Sequence, residues 1–312
     1  MILLLQYTLI FTSVLMLVAL GGCFSEHSGV VNIGLEGIMV FGALGGALVM
    51  RYLPAGTAPA AVFCVTALAA MIAGIIYSLL LAVAAINFKA DQTLVGTAMN
   101  LLGVSAATVI VKAINTAADS ANVSSEIMYV EAKKAFVMVP GTEFSWFMVL
   151  AVVLLIASYI ILYKTKFGLR LMACGEHPQA ADSVGINVYR MRYAGVLISG
   201  LLGGLGGLVY ITAGVSAWQF ENGVAGFGFL ALAVMIFGAW KPQQIALAAL
   251  LFGLFRSLSN VYTGFAFLKN LNLPSTVYNM LPYVISLVVL AIFSKNSAAP
   301  KAEGIPYDKG MR

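Results

Sequence analysis

Few side chains in this sequence could do chemistry, and those few lie in or beside apolar runs. Glu36 stands in Asn32-Ile33-Gly34-Leu35-Glu36-Gly37, close to the start of one such run. An acid inside a membrane span costs about 2.5–3.5 kcal/mol on insertion scales, so it must face a partner or a wet cavity. Asn32 lies four residues away and would share its helix face. Two readings stand equal: Glu36 lines a solute path, or it caps or braces a neighbouring helix. Thr93, Thr97 and Asn100 share a face of a later run, with Asp91 and Gln92 at its start. An acid at that position suits the positive end of the helix dipole, so Asp91 reads as a cap and Asn100 as a lining residue. Trp218, Phe220, Glu221 and Asn222 precede another run. Aromatic rings to stack a base, with an acid and an amide to bond hydroxyls, would suit a sugar or nucleoside. Interfacial tryptophan is also common on structural grounds alone, and that is the preferred reading of Trp218. Arg256 falls in the middle of a run and needs a carboxylate, carbonyls or water; Glu36 is a candidate partner.

Catalytic and metal-binding arrangements are missing from the sequence. The two histidines, His27 and His177, are far apart, and no Ser/His/Asp set or paired acids can be assembled from spacing. Cys23, Cys64 and Cys174 form no CxxC and read as small packing residues. The glycine cluster Gly200-Leu201-Leu202-Gly203-Gly204-Leu205-Gly206-Gly207 is not followed by Lys-Ser/Thr, so it is no phosphate loop. Gly203 and Gly207 instead make a GxxxG pair that favours close helix packing. No catalytic residue, metal or cofactor is therefore expected in this chain.

The elements that carry these residues follow from composition. Of 312 residues, 61% are hydrophobic and 9% charged, against about 25% charged in soluble domains. Only lipid can cover such a surface. Runs of roughly 20 apolar residues mark spans. Nine are found, at 2–22, 33–52, 60–86, 93–113, 146–163, 193–212, 226–240, 245–267 and 277–293. The expected fold is an all-α, polytopic transmembrane helix bundle of about nine spans. The seventh run is short for a full span and is expected to be tilted, broken or partly re-entrant. The first lacks the positive flank of a cleaved signal and reads as a retained span.

Basic residues orient the bundle. Lys89, Lys164, Lys166, Arg170, Arg190, Arg192, Lys241, Lys295, Lys301, Lys309 and Arg312 fall on one side, which the positive-inside rule makes cytoplasmic. Arg51, Lys112, Lys133, Lys134 and Lys269 fall on the other. The net charge of +5 is thus membrane topology, and no nucleic-acid partner is expected. The permease domain is taken as residues 1–293, with an external loop at 115–145. The cytoplasmic tail, 294–312, contains Pro300 and Pro306 and is expected to be disordered.

The longest cytoplasmic stretch, 164–192, contains Gly175-Glu176-His177-Pro178-Gln179-Ala180-Ala181-Asp182-Ser183-Val184-Gly185. Pro178 fits the first position of a short helix and Gly185 the position after its end. Ala180, Ala181 and Val184 would form an apolar strip, suited to a groove on another protein. His177 reads as a capping or surface residue. A faint internal repeat also emerges. Gly29-Val30-Val31-Asn32-Ile33-Gly34-Leu35 is echoed by Gly223-Val224-Ala225-Gly226-Phe227-Gly228-Phe229, each ahead of a Phe-Gly-Ala step, on helices of opposite direction. Inverted repeats place a solute site near the bilayer midplane; chance similarity between glycine-rich helices is almost as good an explanation.

These segments, with Ala90-Asp91-Gln92, Gly96-Thr97-Ala98-Met99-Asn100-Leu101-Leu102 and Gly226 to Ala233, resemble bacterial ABC importer permeases of the ribose/branched-chain amino acid class. Within it the chain is most similar to the nucleoside (simple sugar) subgroup, shorter subunit. The motifs occur in order over nearly the whole chain. The resemblance implies a second permease subunit, a paralogue in many cases, a cytoplasmic ATPase that uses ATP, and an extracytoplasmic solute-binding lipoprotein. It implies that Gly175, Glu176, Pro178, Ala180, Ala181 and Gly185 dock on the ATPase. It implies alternating access for a nucleoside, purine or pentose in the inner membrane. Arg256 and Cys174 depart from the pattern. An ion-coupled carrier built on Glu36 and a passive channel or scaffold are the rival readings.

Overall fold

The computed structural model describes residues 2–54, 56–139, 141–213, 215–264, 274–293 and 299–310. Eight helical segments among them are long and apolar enough to cross a membrane. In chain order the helices are α1 (Ile2–His27), α2 (Leu35–Tyr52), α3 (Pro59–Ala82, prolonged by a π turn at Val83–Asn87), α4 (Gln92–Ala118), the short α5 (Val130–Lys133), α6 (Trp146–Lys164), α7 (Lys166–Glu176), α8 (Pro178–Ser183), α9 (Val188–Ile211), α10 (Phe227–Phe237), α11 (Pro242–Val261) and α12 (Ser275–Phe293). The ninth run lies within α12, 19 residues long. Residues 265–267 of the eighth run, with Lys269, Lys295 and Arg312, lie outside the described residues.

α9 sits at the centre because its glycines let other backbones approach. A Cβ at Gly204 would strike α3 at Ala70 and Gly74, and one at Gly207 would strike the backbone of Met39 on α2. The glycine cluster is thus a packing surface, with Gly200 and Gly204 against α3 and Gly203 and Gly207 against α2. Leucines and valines of α1 fill the remaining core.

The two ends of the bundle differ. One end, here the loop end, carries the 119–145 loop. Its strand β1 (Glu126–Met128) pairs antiparallel with β2 (Ala217–Gln219), the exception to an all-α fold. Asn115 holds this loop by donating to the carbonyls of Ser124 and Glu126. At the opposite, tail end, α1 stops beside Trp240, and α7 and α8 lie below it. Residues 299–310 are packed there rather than disordered. Ala302 N–H donates to Gly175 O, Gly304 N–H to Gly29 O, and Lys89 pairs with Asp308. Tyr307 is buried with Cys174, Ala181 and Val188. The prolines suggested disorder, but burying Tyr307 and Ala302 supplies the stabilisation that orders the segment.

Candidate functional site

The site is a junction where two helices begin inside the bundle. α10 has only 11 residues, about 16 Å of helix, roughly half a membrane's apolar thickness. The seventh run is therefore broken: a 3-10 turn, Phe220–Asn222, precedes it, and Gly223, Ala225 and Gly226 take positive φ before the helix starts. α2 starts facing it, after residues 28–34 have climbed from the tail end. The two repeat motifs thus occupy the mouths of two oppositely directed helices.

Each mouth exposes backbone N–H groups with no partner in their own helix. Glu36, in the first turn of α2, serves the α10 mouth. Gly226 N–H donates to Oε1 at 2.8 Å and Gly228 N–H to Oε2 at 2.7 Å. The approach is so close that a Cβ at Gly228 would meet the Glu36 backbone. Asn100 of α4 serves the α2 mouth. Gly37 N–H donates to its Oδ1 at 2.9 Å, and its Nδ2 donates to Ile33 O at 2.9 Å. Asn32 precedes α2, so it does not share a helix face with Glu36; its Nδ2 donates to Ser199 Oγ, and it is fully buried. Glu36 thus braces the neighbouring helix α10. Asn100 is a brace as well.

Arg256 does not pair with Glu36. Its guanidinium lies over the rings of Phe11 and Phe227, 5.9 and 5.4 Å from their centroids. The Tyr210 hydroxyl is its polar neighbour. Aromatic faces and a phenol surround the cation where the sequence suggested a carboxylate, and its Nε has no hydrogen-bond partner. Phe220 is buried and unavailable to stack a solute. Trp218 donates its indole N–H to Gly223 O and packs edge-on against Tyr210, as the structural reading held. Glu221 pairs with Lys112 at 2.5 Å, and Asn222 is exposed. Asp91 caps α4 by accepting from Leu94 N–H.

At the tail end, Pro178 opens α8 and Gly185 follows it with φ +85°. His177 occupies the N-cap position, but its side chain makes no capping bond. Gly175 is buried against His27 O, whereas Glu176 and Ala180 are exposed. Ala181 faces inward, so the outward strip is Gln179, Ala180 and Val184, with Val184 75% exposed.

Several partners gave no signal of their own. Glu26 accepts from Trp240 Nε1 at 2.5 Å, and Arg192, one of the basic residues that orient the bundle, is fully buried. Gln92 Oε1 accepts from Val31 N–H. Among the described residues, no group of three or more His, Cys, Asp or Glu could hold a metal.

Residues 4–292 match the family described as "Branched-chain amino acid transport system / permease component". The chain is 43% identical to the guanosine ABC transporter permease protein NupQ of Bacillus subtilis, over 98% of this chain and 96% of that one. It is 40% identical to the nucleoside ABC transporter permease protein NupC of Lactococcus lactis, over 96% and 95%. A weaker likeness, 27% over 53% of this chain and 44% of the relative, reaches the nucleoside ABC transporter permease protein NupB of the same organism.

Proposed function

The chain belongs to the family of branched-chain amino acid transport permease components, and on that premise we propose that it is a membrane subunit of an ATP-driven importer that carries nucleosides into the cell. The observation that carries this reading is the whole-length likeness to two permeases named for guanosine and nucleosides. One Lactococcus strain has two permeases similar to this chain, which supports pairing with a paralogue rather than a copy. The ATP-using subunit and an extracytoplasmic binding protein complete the assembly. This chain's own part is to bind and guide the solute and to change shape; no residue of it hydrolyses ATP.

The shape change uses the parts described. α8 presents Gln179, Ala180 and Val184 to the ATPase at the tail end, which this reading makes cytoplasmic. Movement of α8 passes directly to α1 and to the α2 entry loop, because Gly175 abuts His27 and residues 302–304 tie Gly175 to Gly29. The α2 and α10 mouths then move as a unit, because Glu36 and Asn100 lock them. Alternating access is the rocking of that unit between two states, biased by nucleotide on the partner.

Purification of the tagged chain in mild detergent tests this, with Ala180→Arg/Val184→Arg beside wild type. The expected result is an ATPase and a second permease with wild type, loss of the ATPase from the variant, and ATP-dependent guanosine uptake by wild-type proteoliposomes supplied with the binding protein. Uptake that survives ATP depletion and collapses with an uncoupler would replace this reading with an ion-coupled carrier.

A further inference from the structure

The exposed side of α4 is not uniformly apolar. At 100° per residue, Thr97, Ser105, Thr108 and Lys112 fall within about 80° of arc, together with the buried Asn115 and two exposed leucines, Leu94 and Leu101. Thr97 and Ser105 are exposed, and Thr108 Oγ1 is enclosed without a hydrogen-bond partner. Ser105 lies about 20 Å along a helix about 40 Å long, at mid-membrane depth. The adjoining arc, with Ala98, Leu102 and Val109, is apolar until Thr116 near the loop end, and Leu102 and Val109 are 51% and 65% exposed. Lipid suits that second arc and not the first, since hydroxyls and an ion pair in hydrocarbon lose their hydration.

The polar arc is also the one turned toward the α10 mouth. Val104, at its edge, is the neighbour of Gly223, and Lys112 holds Glu221. Residues 222–226 therefore form the opposite side of the same furrow. They offer Asn222 and a strained backbone at Ala225, which takes positive φ. Glu36 and Asn100, the residues whose types best suggested a lining, are consumed in bracing the two mouths behind it.

We propose that this arc of α4, facing residues 222–226, is the wall of the solute path, where Thr97, Ser105 and Thr108 exchange hydrogen bonds with the hydroxyls of a ribose-bearing solute. It rests on the nucleoside reading above. Spaced hydroxyls suit such a solute because each can donate or accept, so the solute steps between equivalent sites without a deep well. The Lys112–Glu221 pair stands at the loop-end mouth of the path.

Thiol accessibility tests it in the assembled complex. Cys64 is the exposed cysteine, and Cys23 and Cys174 are buried, so the background carries Cys64→Ser. Thr97→Cys, Ser105→Cys and, as a lipid-facing control on α6, Ile156→Cys are each treated with a membrane-impermeant, charged thiol reagent in open membrane fragments. Reaction needs hydrated thiolate, so Thr97→Cys and Ser105→Cys are expected to label at least roughly tenfold faster than Ile156→Cys. Labelling at Ser105→Cys is expected to abolish guanosine uptake, while Ser105→Thr transports. Equal, slow labelling at all three positions in a complex that still imports guanosine overturns the proposed wall and leaves the importer reading intact. If no nucleoside is imported, fast labelling at Thr97→Cys and Ser105→Cys keeps a water-filled path for another polar solute, and slow labelling removes it.

Discussion

Two polar junctions tie this bundle together, and they do so at different depths. Between the α2 and α10 mouths, Glu36 and Asn100 bond backbone groups inside the apolar bundle. At the tail end, residues 299–310 tie α7, the Gly29 turn and the α3–α4 turn with bonds that are partly wet. The chemistry overlaps: a carboxylate accepts in each. The setting decides what each bond contributes. An unmade bond in a dry place leaves a desolvated donor, whereas a broken surface bond is replaced by water. The buried junction is therefore expected to be indispensable and the strap adjustable.

Glu36→Ala tests that contrast most severely. It strands two buried N–H groups, each worth about 1–3 kcal/mol when left unsatisfied, and opens a void at the α10 mouth. The expected outcome is loss of assembled complex, read by size-exclusion of the detergent extract, and loss of guanosine uptake. Glu36→Gln keeps the shape with one acceptor oxygen in place of two, so it should assemble with reduced thermal stability. An assembled, fully active Glu36→Ala variant would erase the difference between the junctions.

Asn100→Ala should have the next largest effect. It leaves one donor, Gly37 N–H, and one acceptor, Ile33 O, without partners, for a loss of about 1–3 kcal/mol. Differential scanning fluorimetry of the purified complex should show a lowered melting temperature in a variant that, unlike Glu36→Ala, still assembles, with uptake reduced but present. Asn100→Asp offers two acceptors and no donor, so Ile33 O is stranded and stability should not return to wild type.

How far these junctions were legible depends on sequence distance. Local signals worked: the cap at Asp91, Pro178 opening a short helix, and the interruption of the seventh run are all set by neighbours in sequence. Glu36 stood out because an acid in an apolar run demands a partner, but its partners lie 190 and 192 residues away. Spacing cannot choose between a brace and a lining residue at that range. Arg256 was paired with Glu36 by charge alone, since aromatic rings at Phe11 and Phe227 carry no formal charge to suggest them. The strap was missed for a similar reason. Pro300 and Pro306 speak locally for disorder, whereas Tyr307 finds its pocket in Cys174 and Ala181, far up the chain.

The strap gives the smaller effects, and pH separates its bonds. Burial pushes the Glu303 carboxyl above its ordinary range, so the folded strap holds its proton more tightly than a released one. Docking is therefore strongest below the ordinary carboxylate range and weakens as pH rises through and above it. Glu303 faces the carboxyl of Glu26, which also holds the Trp240 indole. Asp308 acts in the opposite sense. Its bond to Lys89 lowers its pKa, so that contribution is present above the ordinary aspartate value and lost on acidification. Lys89 is raised by the same bond, and its contribution is lost only at strongly alkaline pH. Of the strap's own carboxyls, Glu303 is the one whose contribution falls as pH rises. Limited proteolysis within 294–310 should thus quicken as pH rises above the ordinary carboxylate range in wild type, and do so less steeply in Glu303→Gln. A wild-type rate independent of pH would show that the strap does not feel this carboxyl.

Lys89→Ala should matter least. Its partner Asp308 and the lysine itself are both well exposed, and water and salt replace such a pair readily. Lys89 also takes φ +53°, a conformation that alanine adopts no more easily, so the substitution gains nothing in the backbone. The melting temperature should stay within error of wild type, while cleavage in the tail should become slightly faster at low salt and indistinguishable at high salt. If the variant instead fell as far as Asn100→Ala, the wet strap would be carrying the same weight as the dry junction, and depth would not be what sets the strength of these bonds.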